Sequence, residues 1–222
     1  MAGLPRSVGS CTLDSMTVHD DVVVRWLDQA SSRDASLVAQ LTALINVVYA
    51  VAEAGLWRDG AARTTTDEVA DLIAARQIAV ATTRTADELV GSVRLRQVSD
   101  DTTELGMLVA APERRKIGIG RALVDFAEQH SRDRHMRAIQ LELLVPRDWK
   151  HPNKEFLKAW YGRRGYRRIS TRSLNDTHPQ LASLLATPCA LDLYEKLESE
   201  SLAATRKTRQ KLDQILRGST DS

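Results

Sequence analysis

The spacing of apolar residues changes several times along the chain, and each change predicts an element. Val22-Val23-Val24-Arg25-Trp26-Leu27 is a short β-branched run that reads as a first strand. Leu37, Leu41, Leu44, Ile45, Val48 and Ala52 then recur at intervals that place one stripe on a helix, which ends near Gly55. Thr65 to Glu68 has the form of a capping box and opens a second helix carrying Val69, Leu72 and Ile73. The period next falls to two. Ile78–Thr82 and Leu89–Val98 read as strands, with Val93 and Leu95 alternating against Arg94 and Arg96. Ser99-Asp100-Asp101 supplies turn chemistry before a further strand, Leu105–Ala110, so the middle of the chain predicts an antiparallel meander.

A helix is expected from about Gly120 to His130, with Leu123, Val124 and Ala127 turned inward. Ala138–Val145 is apolar apart from Gln140 and Glu142, as expected of a strand covered on both faces. Lys154–Tyr161 predicts a short helix, Tyr166 starts another strand, and Cys189–Tyr194 reads as the last one. The long connection Thr171–Pro188 carries a short helical stretch at Gln180–Leu185. Residues 1–20 read as a flexible lead-in, 21–198 as one domain, and 199–222 as a charged tail able to form a helix.

Composition narrows the classes of function. The 222 residues suit one domain of ordinary size. Thirty-one basic and 29 acidic residues leave a net charge of +2, too balanced for a dedicated nucleic-acid binder. Cys11 and Cys189 are isolated, which predicts a reducing, cytoplasmic setting without a disulfide framework. The five histidines show no ligand spacing, so no metal is expected. No apolar run reads as a membrane span, and Met1–Ser15 has no secretory h-region, so no membrane association is expected.

The candidate chemistry gathers at Thr103–Val124. A β-rich run passes through Pro112 into the basic turn Arg114-Arg115-Lys116, and Gly118-Ile119-Gly120 leads into a helix start at Arg121-Ala122-Leu123-Val124. A strand, a glycine turn and a helix N-terminus make an anion site: free N–H groups point outward, the helix dipole adds positive charge, and glycines admit a phosphate to the backbone. A P-loop would need Lys-Ser or Lys-Thr after the last glycine, where Arg121-Ala122 stands. A dinucleotide fingerprint would need Gly or Ala at Leu123.

Arg115-Lys116-Ile117-Gly118-Ile119-Gly120 fits a third form, Arg/Gln-x-x-Gly-x-Gly/Ala. With the preceding strand and Pro112-Glu113, it resembles the pyrophosphate motif of the GNAT superfamily of acetyl-CoA-dependent N-acetyltransferases. Tyr161-x-x-x-Gly165-Tyr166, some forty residues on, is similar to a second signature of the same superfamily. The resemblance spans about residues 22–197 and implies an α/β (α+β) fold: a mixed, mostly antiparallel twisted sheet of about six or seven strands flanked by helices, splayed between the fourth and fifth strands.

That resemblance implies an acyltransferase that moves the acetyl group of acetyl-CoA onto a primary amine of a small molecule or peptide, by direct attack in a ternary complex. Backbone groups of Lys116, Ile117, Gly118, Ile119, Gly120 and Arg121 would hold the pyrophosphate. Arg115 and Lys116 would add charge, and Leu108, Val109 and Ala110 would offer strand amides to the pantetheine arm. Tyr161 is the implied general acid at the departing thiolate. Relatives often carry Asn seven positions before that Tyr; here Lys154 stands there, with Asn153 beside it. For the general base, Glu104 ranks first, Glu142 second and Glu53 third. Glu142 interrupts an apolar strand, and Glu53 lies beside Tyr49 and Trp57, the candidate substrate-binding residues. A carboxylate working on the substrate would favour a cationic amine. Members of the superfamily are often dimers, which leaves a homodimer open. A catalytically silent acyl-CoA-binding module is the alternative from another class, and a different nucleotide-phosphate binder is disfavoured by the residues after Gly120.

Overall fold

The computed structural model describes residues 17–19, 21–114 and 117–198. Most of the expected lead-in, the charged tail from residue 199, and Arg115-Lys116 of the basic turn lie outside the described residues. The chain forms an eight-stranded sheet in the order β1-β2-β3-β4-β5-β6-β8-β7. The strands are β1 (Thr17–His19), β2 (Val22–Trp26), β3 (Ile78–Thr83), β4 (Leu89–Ser99), β5 (Thr102–Ala110), β6 (Ala138–Pro146), β7 (Arg167–Ser173) and β8 (Cys189–Leu197). β1 was not foreseen; it pairs antiparallel with β2 and starts the sheet inside the segment expected to be a lead-in.

The helices follow the predicted stripes. α1 (Ala35–Ala52) starts at Asp34, whose carboxylate accepts the N–H groups of Ser36 and Leu37. α2 (Thr66–Ala74) is capped by Thr65, whose hydroxyl accepts the N–H of Glu68 at 3.2 Å. The reciprocal half of the expected capping box is absent, because the Glu68 carboxylate accepts the Thr64 hydroxyl instead. α3 (Ile119–Asp133) and α4 (Pro152–Arg163) each run slightly longer than their predicted cores. The connection after β7 holds two single-turn helices, α5 (Leu174–Thr177) and α6 (Pro179–Ala182), where one was expected.

Two layers of helix cover the sheet. α3 and α4 pack on one face, where Phe126, Leu123 and Tyr161 join Ala79, Ala81, Leu141 and Leu143. α1 and α2 pack on the other, where Leu41, Ile45, Val69 and Ile73 meet Ile78 and Val80. Alternation along β3 assigns odd residues to one face and even ones to the other, as a strand period of two requires. The expectation that no run reaches membrane-span length fails at α1. Its 18 residues are long and apolar enough by length and composition, although Val38, Leu41 and Ile45 pack against the sheet. Its sequence has no charged residue, so alanine and valine occupy the outer face; Val47 and Val51 are exposed.

β5 is irregular where it matters. Its pairing with β4 slips between Val109↔Ser92 and Gly106↔Arg94, and Met107 takes φ +46, a conformation rare for a side chain of that size. The bulge turns the strand over: Leu105 packs on the α3 side, whereas Met107 and Val109 pack on the α1 side.

Candidate functional site

β5 and β6 are parallel neighbours for only four residues, Thr102↔Ala138 to Leu105↔Leu141. Beyond that register they part, and Gly106–Ala110 and Glu142–Pro146 have no partner across the gap. This is the splay expected between the fourth and fifth strands, renumbered by the extra β1. The gap holds a cleft of about 100 Å³ lined by Leu105–Leu108, Leu141–Leu144 and residues of α1 and α4. Unpaired backbone groups in an apolar cleft need partners, so an extended polar arm can bind there as an added strand.

The glycine turn sits after the end of β5. Gly118 has φ +82 and is the N-cap of α3, a left-handed position that favours glycine. The first bond of the helix runs from the Ala122 N–H to the Gly118 carbonyl at 2.9 Å. The N–H groups of Ile119, Gly120 and Arg121 therefore precede any intrahelical acceptor and point out of the helix start. Nothing lies within 4 Å of where a Cβ would stand at Gly118 or Gly120, so the backbone can be approached closely. Ile119 is buried behind this surface and packs on Gly91 of β4, where an added Cβ would fall 2.7 Å from its Cγ2. The turn is thus anchored from below and open above, which fits a pyrophosphate. Arg114 leans away from it and pairs with Glu88.

The gap also lets helices from opposite faces meet. Lys154 at the start of α4 and Glu53 at the end of α1 form an ion pair of 2.5 Å, with side chains only 4% and 6% exposed. The second Glu53 oxygen accepts the Trp57 indole N–H, and Asn153 donates to the Ala52 carbonyl at 3.0 Å. Burying two charges costs several kcal/mol that only close pairing offsets, so Glu53 and Lys154 are held rigidly. His151 is used as a helix cap: its Nδ1 accepts the Asn153 N–H at 3.2 Å, and its ring stacks on Trp149.

Tyr161 lines the cleft from α4. Its ring lies between Trp160 and Tyr166, with centroids at 4.9 and 5.4 Å. Among the described residues its hydroxyl has no hydrogen-bond partner. Burial pushes the phenol well above its ordinary value, a group that holds its proton until a strong base develops beside it.

The three candidate carboxylates differ in their surroundings. Glu104 faces Arg96 across β4 and takes both its oxygens to one guanidinium nitrogen, at 2.8 and 3.0 Å. Glu53 is consumed by Lys154 and Trp57. Glu142 lines the cleft where β6 leaves β5, and no cation among the described residues comes within ion-pair distance of it. Burial first, and the Glu104 charge second, raise its carboxyl above the usual range; His178, Arg172 and Arg96 oppose the shift.

The structure thus brings Tyr161, Glu142, Glu53 and Tyr49 to one cleft, with Leu108 on its wall, while Trp57 reaches it only through Glu53. Val109 and Ala110 continue the unpaired edge toward the glycine turn, and Glu104 lies outside the lining. Arg115 and Lys116 lie outside the described residues. A second cavity of about 330 Å³ shares Tyr49 and Glu53 with the cleft and is closed by the 53–63 loop and by Leu181 and Leu184. Its Asn46, Arg58 and Arg63 were not singled out in the sequence. The only local signal for them was a polar loop after a helix, which many surface loops share.

Comparison with known proteins bears on this geometry. The model of the Acetyltransferase (GNAT) family matches residues 51–166, more than half of the chain. Among solved structures, a ribosomal-protein-alanine N-acetyltransferase from Brucella melitensis is 16% identical, with a TM-score of 0.56, covering 79% of this chain and 99% of its own. An aminoglycoside 6'-N-acetyltransferase complexed with coenzyme A is 18% identical, with a TM-score of 0.56 and coverages of 78% and 96%. A GNAT-family acetyltransferase from Bacillus anthracis is 13% identical, with a TM-score of 0.55 and coverages of 82% and 98%. None of the curated proteins compared with the chain matches it.

Proposed function

Because the chain belongs to the GNAT acetyltransferase family, whose cosubstrate is acetyl-CoA, we propose that it acetylates a primary amine of a small molecule or peptide by direct attack in the cleft between β5 and β6. The observation that carries this reading is the cleft on the unpaired β5 edge. Tyr161 and Glu142 line it together with Leu105–Leu108, and the unpaired β5 edge leads on from there through Val109 and Ala110 toward the turn that opens α3. In the step, the amine nitrogen bonds to the acetyl carbon, the carbon–sulfur bond breaks, the amine gives up a proton and the thiolate gains one.

Glu142 suits the base. A carboxyl held above its ordinary range is a stronger proton acceptor near neutrality than one tied to arginine, which favours it over Glu104. Tyr161 suits the acid by its place, since it lines the cleft where the thiolate would leave and burial keeps its phenol protonated. The N–H groups at the start of α3 and any charge from Arg115 and Lys116 would hold the pyrophosphate. A cytoplasmic setting remains the reading that two isolated cysteines support; Cys189 is a buried thiol whose burial pushes it up to about 11.

Thermal unfolding with acetyl-CoA, against ATP and NAD, tests the cofactor half. Ligand at about a hundred times its Kd adds roughly 2.7 kcal/mol, a rise of several degrees. CoA release with an amine panel tests the transfer, and Tyr161→Phe is expected to lower kcat by 100-fold or more with little change in acetyl-CoA binding. Stabilisation by acetyl-CoA without CoA release for any amine would leave a silent binding module. No stabilisation by millimolar acetyl-CoA would sink the transferase reading.

A further inference from the structure

Two of the candidate carboxylates are already paired with cations, whereas two arginines at the acceptor cavity have no carboxylate partner among the described residues. Glu53 is held by Lys154 and Trp57, and Glu104 by Arg96. Arg58 and Arg63 both line the 330 Å³ cavity, and among the described residues neither has a carboxylate within ion-pair distance. Asp59 lines the same rim without pairing with either.

Both arginines stand on backbone fixed from outside. The Asn46 carboxamide accepts the N–H groups of Arg63 and Thr64 at 2.9 and 3.0 Å and donates to the Thr64 carbonyl at 3.0 Å. The Arg63 guanidinium lies 5.0 Å from the Tyr49 ring centroid, over its face. Arg58 donates its N–H to the Leu184 carbonyl at 2.9 Å, and Trp57 bridges to Leu185 beside it. Two cations are thus presented, with Asp59 beside them and Glu53 held by Lys154, to a space whose walls also include Tyr49, Trp57, Leu181 and Leu184. A volume of this size takes a ligand of roughly amino-acid to dipeptide dimensions.

The geometry points to an acceptor that is a carboxylate-bearing amine with an apolar body, of the class of an apolar amino acid. This inference rests on the acetyltransferase reading above. The carboxylate meets Arg58 and Arg63, whose forked donors match a planar anion. The apolar body lies against Tyr49, Trp57 and the leucines. The amine passes Tyr49 and Glu53, which the cavity shares with the cleft, and so faces Glu142 and Tyr161. The expectation of a cationic amine then rests on Glu142, because Glu53 and Glu104 are paired with Lys154 and Arg96.

The test is CoA release with matched acceptors, L-leucine and L-phenylalanine against their amides, in the full chain and in an Arg58→Gln/Arg63→Gln variant. The wild type is expected to favour the acids by about tenfold or more in kcat/KM. In the double variant that preference falls to near unity through KM, while stabilisation by acetyl-CoA is unchanged. A wild type that is stabilised by acetyl-CoA but releases no more CoA with the acids than with the amides overturns the inference and leaves the transferase reading standing. A preference that survives in the double variant overturns the assignment to these arginines. Absence of stabilisation by acetyl-CoA overturns both readings together.

Discussion

The two halves of the proposed site are built by different means. The cofactor half is made from backbone: an unpaired strand edge, a left-handed glycine and the start of a helix, all within residues 102–133. The acceptor half is made from side chains that meet across long stretches of chain. Glu53 and Lys154 lie 101 residues apart, and Trp57 bridges to Leu185. A backbone site tolerates any side chain that leaves the main chain accessible, so it can be shared widely. A side-chain site changes with each substitution. The contrast explains how one fold can keep its cosubstrate while its acceptor varies.

The strongest way to break this contrast is to remove one member of the buried pair. Lys154→Met leaves the Glu53 carboxylate without its cation at 5% residue exposure, and a loss of about 3–5 kcal/mol is expected. The midpoint of urea unfolding reads it directly. Glu53→Gln combined with Lys154→Met removes both charges, and most of that loss should return. If Lys154→Met is neutral, the acceptor half does not depend on the pair and the contrast fails.

Next in size is the chemistry at the join of the halves. Glu142→Gln is expected to lower kcat by about 100-fold. With Glu142 as the proposed base, activity requires the deprotonated carboxylate, so kcat/KM is expected to rise with pH through a value above the usual carboxylate range, since burial and Glu104 raise it. Glu104→Gln removes the second of those causes, and the acidic limb should move to lower pH with activity retained. A limb that stays in place while activity disappears would make Glu104 the base instead.

Gly91→Ala tests the cofactor half from beneath. Its new Cβ would lie 2.7 Å from Ile119 Cγ2 and 2.8 Å from the Val109 carbonyl oxygen. The side chain can turn but the carbonyl belongs to the strand, so about 1–3 kcal/mol of overpacking strain is expected in chemical unfolding. Because α3 must then shift on β4, acetyl-CoA should stabilise the variant less than the wild type.

The same division governs what the sequence discloses. Strand, turn and helix at residues 102–133 are local: period two, then glycines, then period 3.6. Their order was readable without any knowledge of distant contacts. Glu142 drew notice because a charge inside an apolar strand is anomalous in one dimension as well as three. The partner of Glu104 was not readable, because it depends on the register that sets Arg96 opposite it. Gly106 stands beside the bulge, yet the left-handed conformation falls on Met107, which no local signal announces. The capping box at Thr65 was half right, because a neighbouring threonine competed for Glu68. Arg58 and Arg63 become notable only once Asn46 and Leu184 fix their backbone and a cavity opens between them.

The smallest change gives the sharpest reading of the cofactor half. At Gly118 the φ of +82 disfavours any side chain, yet a Cβ there would meet nothing within 4 Å. Gly118→Ala should therefore lose only the backbone term, about 1 kcal/mol, or a few degrees in Tm. The added methyl group stands in the open approach to the first N–H groups of α3. If a phosphate comes to that backbone, the Tm rise with acetyl-CoA should shrink by more than the variant's own loss of stability. An undiminished rise would mean that the phosphate binds elsewhere, and the cofactor half would then depend on side chains as much as the acceptor half does.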